Sequence, residues 1–261
     1  MSHYSVLAIG FKDEEALENA MAPYDEGLEV APRISKTKEQ ILAEGIKSYK
    51  ERCEIIKAYE ESPFKAVEKY GDRAAKIYED RHKRQYPNFK DPEKYYEWYV
   101  EGETVDENGN LLTTYNPNSR WDYYTVEETM TISDLKQERE KYLANFDPSR
   151  YEMVWNIIVN GEKPSVTGIE MFSLLYGQPN KEEMLRIYGT KENYINHYKN
   201  NYYASYSVIT PQGWFEPGKV GWFGMSSATF DEEKTFRETY YAKFIEPYDN
   251  NIPVYRIDCH I

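Results

Sequence analysis

HYSVLAIGF, residues His3 to Phe11, is the stretch from which the fold can be read. Val6 to Ile9 is an unbroken apolar run, and a strand without polar alternation is one covered on both faces. It predicts an interior strand of a sheet. At the other end IPVYRIDCH, residues Ile252 to His260, is again rich in β-favouring residues. The two ends therefore read as strands of one sheet.

Working inward, Asp13 caps a short helix carrying Ala16, Leu17 and Ala20, and Pro23 stops it. Residues 25–35 read as extended or looped. Ile41, Leu42, Ile46, Tyr49, Cys53 and Ile56 recur at three- and four-residue spacing, which predicts a helix from Thr37 to about Tyr59. A second helix follows Pro63 in a region that ends at Pro87, and a third starts at Asp91-Pro92, an N-cap followed by a proline in the first turn. Asp106 to Gly109 (DENG) predicts a hairpin turn with Leu111 to Tyr115 as its second strand. Further strands are expected at Trp121 to Val126 and Tyr202 to Thr210. Helices are expected from Asp134 to Phe146, over 151–159, 168–176, 180–188 and 190–199, and from an Asp231 cap to Ile245.

The core order is strand, helix, strand, strand, helix, strand. It predicts an α+β fold with an antiparallel sheet, compatible with a ferredoxin-like core that includes both terminal strands. Residues 1–35 and 104–261 form the core domain, and 36–103 a helical insertion that is either a separate domain or part of one continuous domain.

The composition is globular, with 40% hydrophobic and 30% charged residues among 261. Mean hydropathy is nevertheless -0.83, because 26 Tyr carry much of the apolar work. That many half-polar rings also suit a homo-oligomer. No apolar run approaches the roughly 20 residues of a membrane span, and no leader pattern opens the chain. Cys53 and Cys259 are far apart with no Cys-x-x-Cys pairing, which fits a reducing compartment, so the cytoplasm is expected. A net charge of -13 opposes direct nucleic-acid binding. Asp13, Glu14, Glu15, Glu18, Asp25, Glu26 and Glu29 concentrate that charge, with Lys12 the nearby cation, as a face for a basic protein partner. A basic stretch runs through Arg73, Lys76, Arg81, Lys83, Arg84 and Lys90. The simpler reading of both runs is solvated surface.

His3, His82, His197 and His260 are dispersed, without the paired spacing of a metal site, so neither a metal nor a cofactor is expected. In a strand Asp258 and His260 share one face and Cys259 takes the other, which keeps the three from converging. Strong nucleotide fingerprints are absent. Two segments carry ligand chemistry. In YNPNSRWDYY, Tyr115 to Tyr124, the side chains of Asn116, Asn118, Ser119, Arg120, Trp121 and Asp122 offer hydrogen bonding, stacking and a guanidinium. In GWFGMSS, Gly221 to Ser227, glycines let backbone approach a ligand beside Trp222, Met225 and Ser226. The bland alternatives are a turn whose Asn side chains bond backbone, and a structural loop.

The N-terminal strand with AMAPYDEGLEV, the central NPNSRWDYY, the segment VITPQGWFEPGKVGWFGMSS and the terminal YRIDCHI resemble, in that order, a group of uncharacterised phage- and prophage-encoded proteins. In that group the central motif runs into a glycine-glycine-arginine-tryptophan segment, where this chain has Val126 to Met130, VEETM. The resemblance implies an accessory protein made inside an infected bacterium. Acting by binding is then expected: a non-enzymatic antagonist of a bacterial defence system that occupies a host protein. One alternative is a sponge for a nucleotide immune signal. The other is a hydrolase of a nucleotide or phosphoester using Asp122 or Asp258 with His260.

Overall fold

A computed structural model describes residues 3–80, 90–165, 167–221 and 224–261. Arg81, His82, Lys83, Arg84 and Pro87, together with Trp222 and Phe223, lie outside the described residues. The chain forms two compact units, 1–28 with 116–261, and 29–115.

In chain order the elements are β1 (His3–Ile9), α1 (Glu14–Met21), β2 (Arg33–Lys36), α2 (Lys38–Glu61), α3 (Pro63–Tyr70), α4 (Arg73–Glu79), α5 (Pro92–Tyr99) and β3 (Leu111–Thr113). There follow β4 (Tyr123–Thr131), α6 (Ile132–Ala144), α7 (Ser149–Ile158), α8 (Gly168–Leu175), α9 (Lys181–Tyr188) and α10 (Lys191–Asn200). The last are β5 (Ser207–Thr210), β6 (Gly213–Phe215), α11 (Phe230–Phe244) and β7 (Pro253–His260). The fold is α+β.

The first unit is built on a five-stranded sheet of order β4-β7-β1-β5-β6. The two ends of the chain do pair: β1 lies antiparallel to β7 with Val6 opposite Ile257 and Ala8 opposite Tyr255. On its other side β1 runs parallel to β5, with Val6 opposite Ser207. The sheet is thus mixed, not wholly antiparallel, and the ferredoxin-like arrangement of antiparallel neighbours is not reproduced. No hairpin sets the direction of β5, since it reaches the sheet from α10 after a long excursion from β1. Only Ser207–Thr210 of the expected Tyr202 to Thr210 is strand, and Ser207 to Ile209 pair with β1. The preceding tyrosines tie loops instead, Tyr202 through a hydroxyl bond to Glu138 and Tyr206 through one to the Gly218 carbonyl.

Val6, Leu7, Ala8 and Ile9 are fully buried, as an unalternating run requires. Val6 and Ala8 face Leu17 and Met21 of α1, along with Trp121, Tyr255 and Cys259. Leu7 and Ile9 face the opposite layer, with Ile132 and Leu135 of α6 and Tyr240 and Phe244 of α11. Helices α7 to α10 gather a further core around Trp155, Met184, Tyr188 and Tyr194. Two caps explain helix starts. Asp13 accepts from the Ala16 N–H at the head of α1, as its position suggests. Thr229 forms a reciprocal capping box with Glu232 at the head of α11, which leaves Asp231, the expected cap, free to pair with Arg186 at 2.8 Å.

In the second unit, Thr37 and Gln40 form the capping box that starts α2. The helix expected after Pro63 is two, because Gly71 takes φ 71° and ends α3 before α4 begins. α2 and α5 approach so closely at Gly45 that a Cβ there would stand 2.7 Å from the Tyr95 ring. The turn at Asp106 forms, with Gly109 N–H donating to the Asp106 carbonyl. The main partner of β3 is β2, in a separate two-stranded sheet. That pairing makes the unit wider than the 36–103 expected from helix spacing alone.

Leu7→Ala removes a side chain closed in on every side and is expected to cost about 2–5 kcal/mol of stability, measured by urea unfolding. A loss below about 1 kcal/mol would contradict an interior β1.

Candidate functional site

The Asn116 to Asp122 segment is built into the sheet's margin. Asn116 is buried; its Nδ2 donates to the Pro23 and Asp25 carbonyls at 2.8 and 2.9 Å, and its Oδ1 accepts from Asn118 N–H at 3.0 Å. Arg120 donates to the Asn118 and Ser119 carbonyls, and its Nε stands 2.6 Å from Glu216 Oε1. Burial pushes the Glu216 carboxyl up, and the Arg120 charge with the Trp214 N–H opposes that rise. Ser119 is buried with Lys219 Nζ 3.4 Å from its Oγ, and Trp121 belongs to the α1-side core. The central segment and the start of the glycine-bearing loop therefore do meet, but through direct contacts of side chain on side chain.

Alternation holds in β7. The Cys259 thiol is buried in the α1-side core, and burial pushes its pKa up. Asp258 and His260 face the other way, and each joins a separate pair. His3 Nδ1 is 2.7 Å from Asp258, and His260 Nδ1 is 2.6 Å from Asp122. The two imidazoles lie 5.0 Å apart, with Tyr123 stacked on His260. The hydrolase reading pairs Asp122 or Asp258 with His260, and the Asp122 pair is present. His260 Nε2, however, is buried without a hydrogen-bond partner among the described residues, so that nitrogen is not presented to a substrate. Among the described residues no group of three or more His, Cys, Asp or Glu side chains is arranged to hold a metal ion. Nor is any described helix long and apolar enough to cross a membrane.

A cavity of about 660 Å³ opens elsewhere in this unit. Its lining includes Tyr188 at the end of α9, His197 and Tyr198 of α10, Met225 and Ser226 of the loop, and Arg237 of α11. The C-terminal half of α11 is fixed by Tyr240 and Phe244 against the sheet, so its N-terminal half is held where the cavity needs it. The loop is fixed as well. Gly221 N–H donates to the Met225 carbonyl, Ser227 N–H to that of Lys219, and a Cβ on Gly218 would stand 2.3 Å from the Ala228 nitrogen. Ser226 Oγ accepts from Ala228 N–H and bonds the Tyr206 hydroxyl.

One of the two cationic groups lining the cavity, Arg237, is unusual in its surroundings. The Arg237 guanidinium lies over the Tyr203 ring at 4.3 Å and the Tyr198 ring at 5.1 Å. Among the described residues no carboxylate is within ion-pair distance of it. Glu233 stands one turn before it, and Glu238 is taken by Lys234 at 2.6 Å. Burial, aided by the Arg237 charge and opposed by Glu238, holds the His197 pKa down to about 4, so its imidazole is neutral at pH 7. Burial likewise pushes the Tyr188 and Tyr198 phenols up, leaving them as neutral donors.

Of the residues singled out in the sequence, Met225 and Ser226 line this cavity. Trp222 lies outside the described residues. Asn116, Asn118, Ser119, Arg120, Trp121 and Asp122 make the contacts given above. Arg237, Tyr188 and Tyr198 carry no mark in the sequence, and His197 stands there only as one of four dispersed histidines. Of the acidic run, Glu14, Glu15 and Glu18 are exposed on α1, while Asp25 and Glu26 are half-buried and Asp25 accepts from Gly27 N–H. Glu29 is exposed and belongs to the second unit.

Comparison with protein-family models, with curated proteins and with solved structures returned no match.

The unfolded chain takes up a proton on His197 near pH 6.5, whereas the folded protein refuses it until about pH 4. The stability this imidazole contributes is therefore complete above about pH 6.5 and is lost as pH falls toward 4. His197→Gln should show a shallower fall in Tm between pH 7 and 4 than the parent protein. Equal slopes would contradict a buried, neutral His197.

Proposed function

We propose that the protein binds a small anionic ligand with a planar ring, of the nucleotide class, in the α9–α10–α11 cavity and holds it without chemical change. One observation carries the reading: a guanidinium stacked on two tyrosine rings, lining a cavity and unpaired with any carboxylate among the described residues. Such a group meets a phosphate or carboxylate without first giving up an internal partner. Tyr176, Tyr188 and Phe230 supply ring faces for a base, and the volume falls within the roughly 300–1,000 Å³ usual for ligand sites. In the setting that the resemblance implies, an infected bacterium, such a protein serves as a sponge for a nucleotide immune signal.

Calorimetric titration with a nucleotide panel is expected to give saturable binding that Arg237→Gln weakens about tenfold or more, the scale of a lost charge-assisted hydrogen bond. Flat titrations across the panel, or full affinity in Arg237→Gln, would refute the reading.

A second reading, a defence antagonist that occupies a host protein in the cytoplasm, is favoured by α1. Its exposed Glu14, Glu15 and Glu18 have no basic residue on the same helix, which suits a basic partner surface. A host protein captured by the parent chain should be lost when all three are changed to Gln. Capture unaffected by those changes would count against an acidic docking face.

A further inference from the structure

Four ionisable side chains capable of carrying charge near neutral pH line the cavity: His197, Glu233, Lys234 and Arg237. Their balance is specific. His197 is buried and faces Arg237, Lys234 and Glu238, and it remains uncharged at pH 7. Lys234 is neutralised by Glu238, one turn further along α11. There remain one cation, Arg237, and one carboxylate, Glu233, on the same helix but not in ion-pair contact with each other.

The head of α11 adds no attraction for further negative charge. A helix N-terminus ordinarily favours an anion, but here Asp231, Glu232 and Glu233 occupy the first turn. The Glu232 N–H is already given to Thr229 Oγ1, and the Glu232 carboxylate accepts from the Thr229 N–H and hydroxyl. Of the cations in the neighbouring loop region, Arg120 is paired with Glu216, and Lys219, whose Nζ lies 3.4 Å from Ser119 Oγ, is outside the cavity lining. Arg186 is held by Asp231. A ligand bearing one negative charge is matched by Arg237. Each additional charge would meet Glu233 with no further unpaired cation lining the cavity.

Resting on the nucleotide reading above, we infer that the cavity selects a singly charged phosphodiester, of the cyclic mononucleotide type, and discriminates against phosphomonoesters and polyphosphates of the same base. The base is supplied with ring faces in either case, so discrimination comes from charge at the Arg237–Glu233 end and not from the base.

The test is a series in which only the phosphate changes: adenosine 3′,5′-cyclic monophosphate, adenosine 5′-monophosphate and ATP, with the guanosine counterparts as a second set. All are titrated calorimetrically into the protein at pH 7.5, at one salt concentration and with chelator present. The cyclic nucleotide is expected to bind at least about tenfold more tightly than the monophosphate, and ATP more weakly still. Glu233→Gln should narrow that ratio by improving the monophosphate, while Arg237→Gln weakens all three. A monophosphate or ATP that binds as tightly as the cyclic nucleotide, or a ratio unmoved by Glu233→Gln, overturns the inference and leaves the nucleotide reading standing. Absence of binding by every member of both sets, in protein whose thermal unfolding is cooperative, overturns the nucleotide reading and the inference with it.

Discussion

Burial of β1 on both faces is the constraint from which the first unit follows. Four consecutive apolar residues, Val6 to Ile9, cannot be hidden by one layer. The strand must sit inside a sheet, and the sheet must be covered above and below. β7 and β5 flank it, α1 covers one face, and α6 with α11 cover the other. The helix that seals the second face is also the helix that carries Arg237. Tyr240 and Phe244 anchor α11 in the core, while Glu233, Lys234 and Arg237 emerge along its earlier turns to line the cavity. Packing of the central strand and placement of the ligand group are thus coupled through one rigid element.

A second set of interactions secures the sheet's margin, and these are polar. Asn116 satisfies two backbone carbonyls, Arg120 meets Glu216, and the pairs His3–Asp258 and His260–Asp122 join β1, β7 and the start of β4. Polar groups removed from water need partners, and here nearly every partner comes from a residue distant in sequence. The segment that carries the richest ligand chemistry on paper uses most of it internally. Asn, Ser, Arg and Trp are the residue types of a ligand pocket and also those of a well-satisfied structural junction, and only spatial neighbours distinguish the two.

Much of the fold was legible because it is written locally. The Asp13 cap, the start of α2 next to Thr37, the helix at 149–158 despite its β-favouring Val, Trp and Ile, and the three short helices before β5 all follow from spacing and termini. Features set by distant partners were not legible. The parallel direction of β5 depends on which strand it reaches, and the pairing of β3 with β2 brings together residues some 75 positions apart. The break at Gly71 and the shift of the cap from Asp231 to Thr229 were local signals outweighed by a longer periodicity and a nearer acid. The cavity was half visible. Met225 and Ser226 stand in a segment marked by glycines, whereas Arg237 reads in sequence as the partner of Glu233 one turn away. Nothing in the linear pattern announces that it stacks on Tyr198 and Tyr203 instead.

Hydrogen–deuterium exchange with and without saturating adenosine 3′,5′-cyclic monophosphate tests most directly the claim that this cavity, and not the Asn116 to Asp122 segment, is the ligand site. The account predicts slower exchange in peptides covering 194–201, 224–228 and 230–237, with 116–122 unchanged. Protection confined to 116–122, or no protection in any segment, would contradict it.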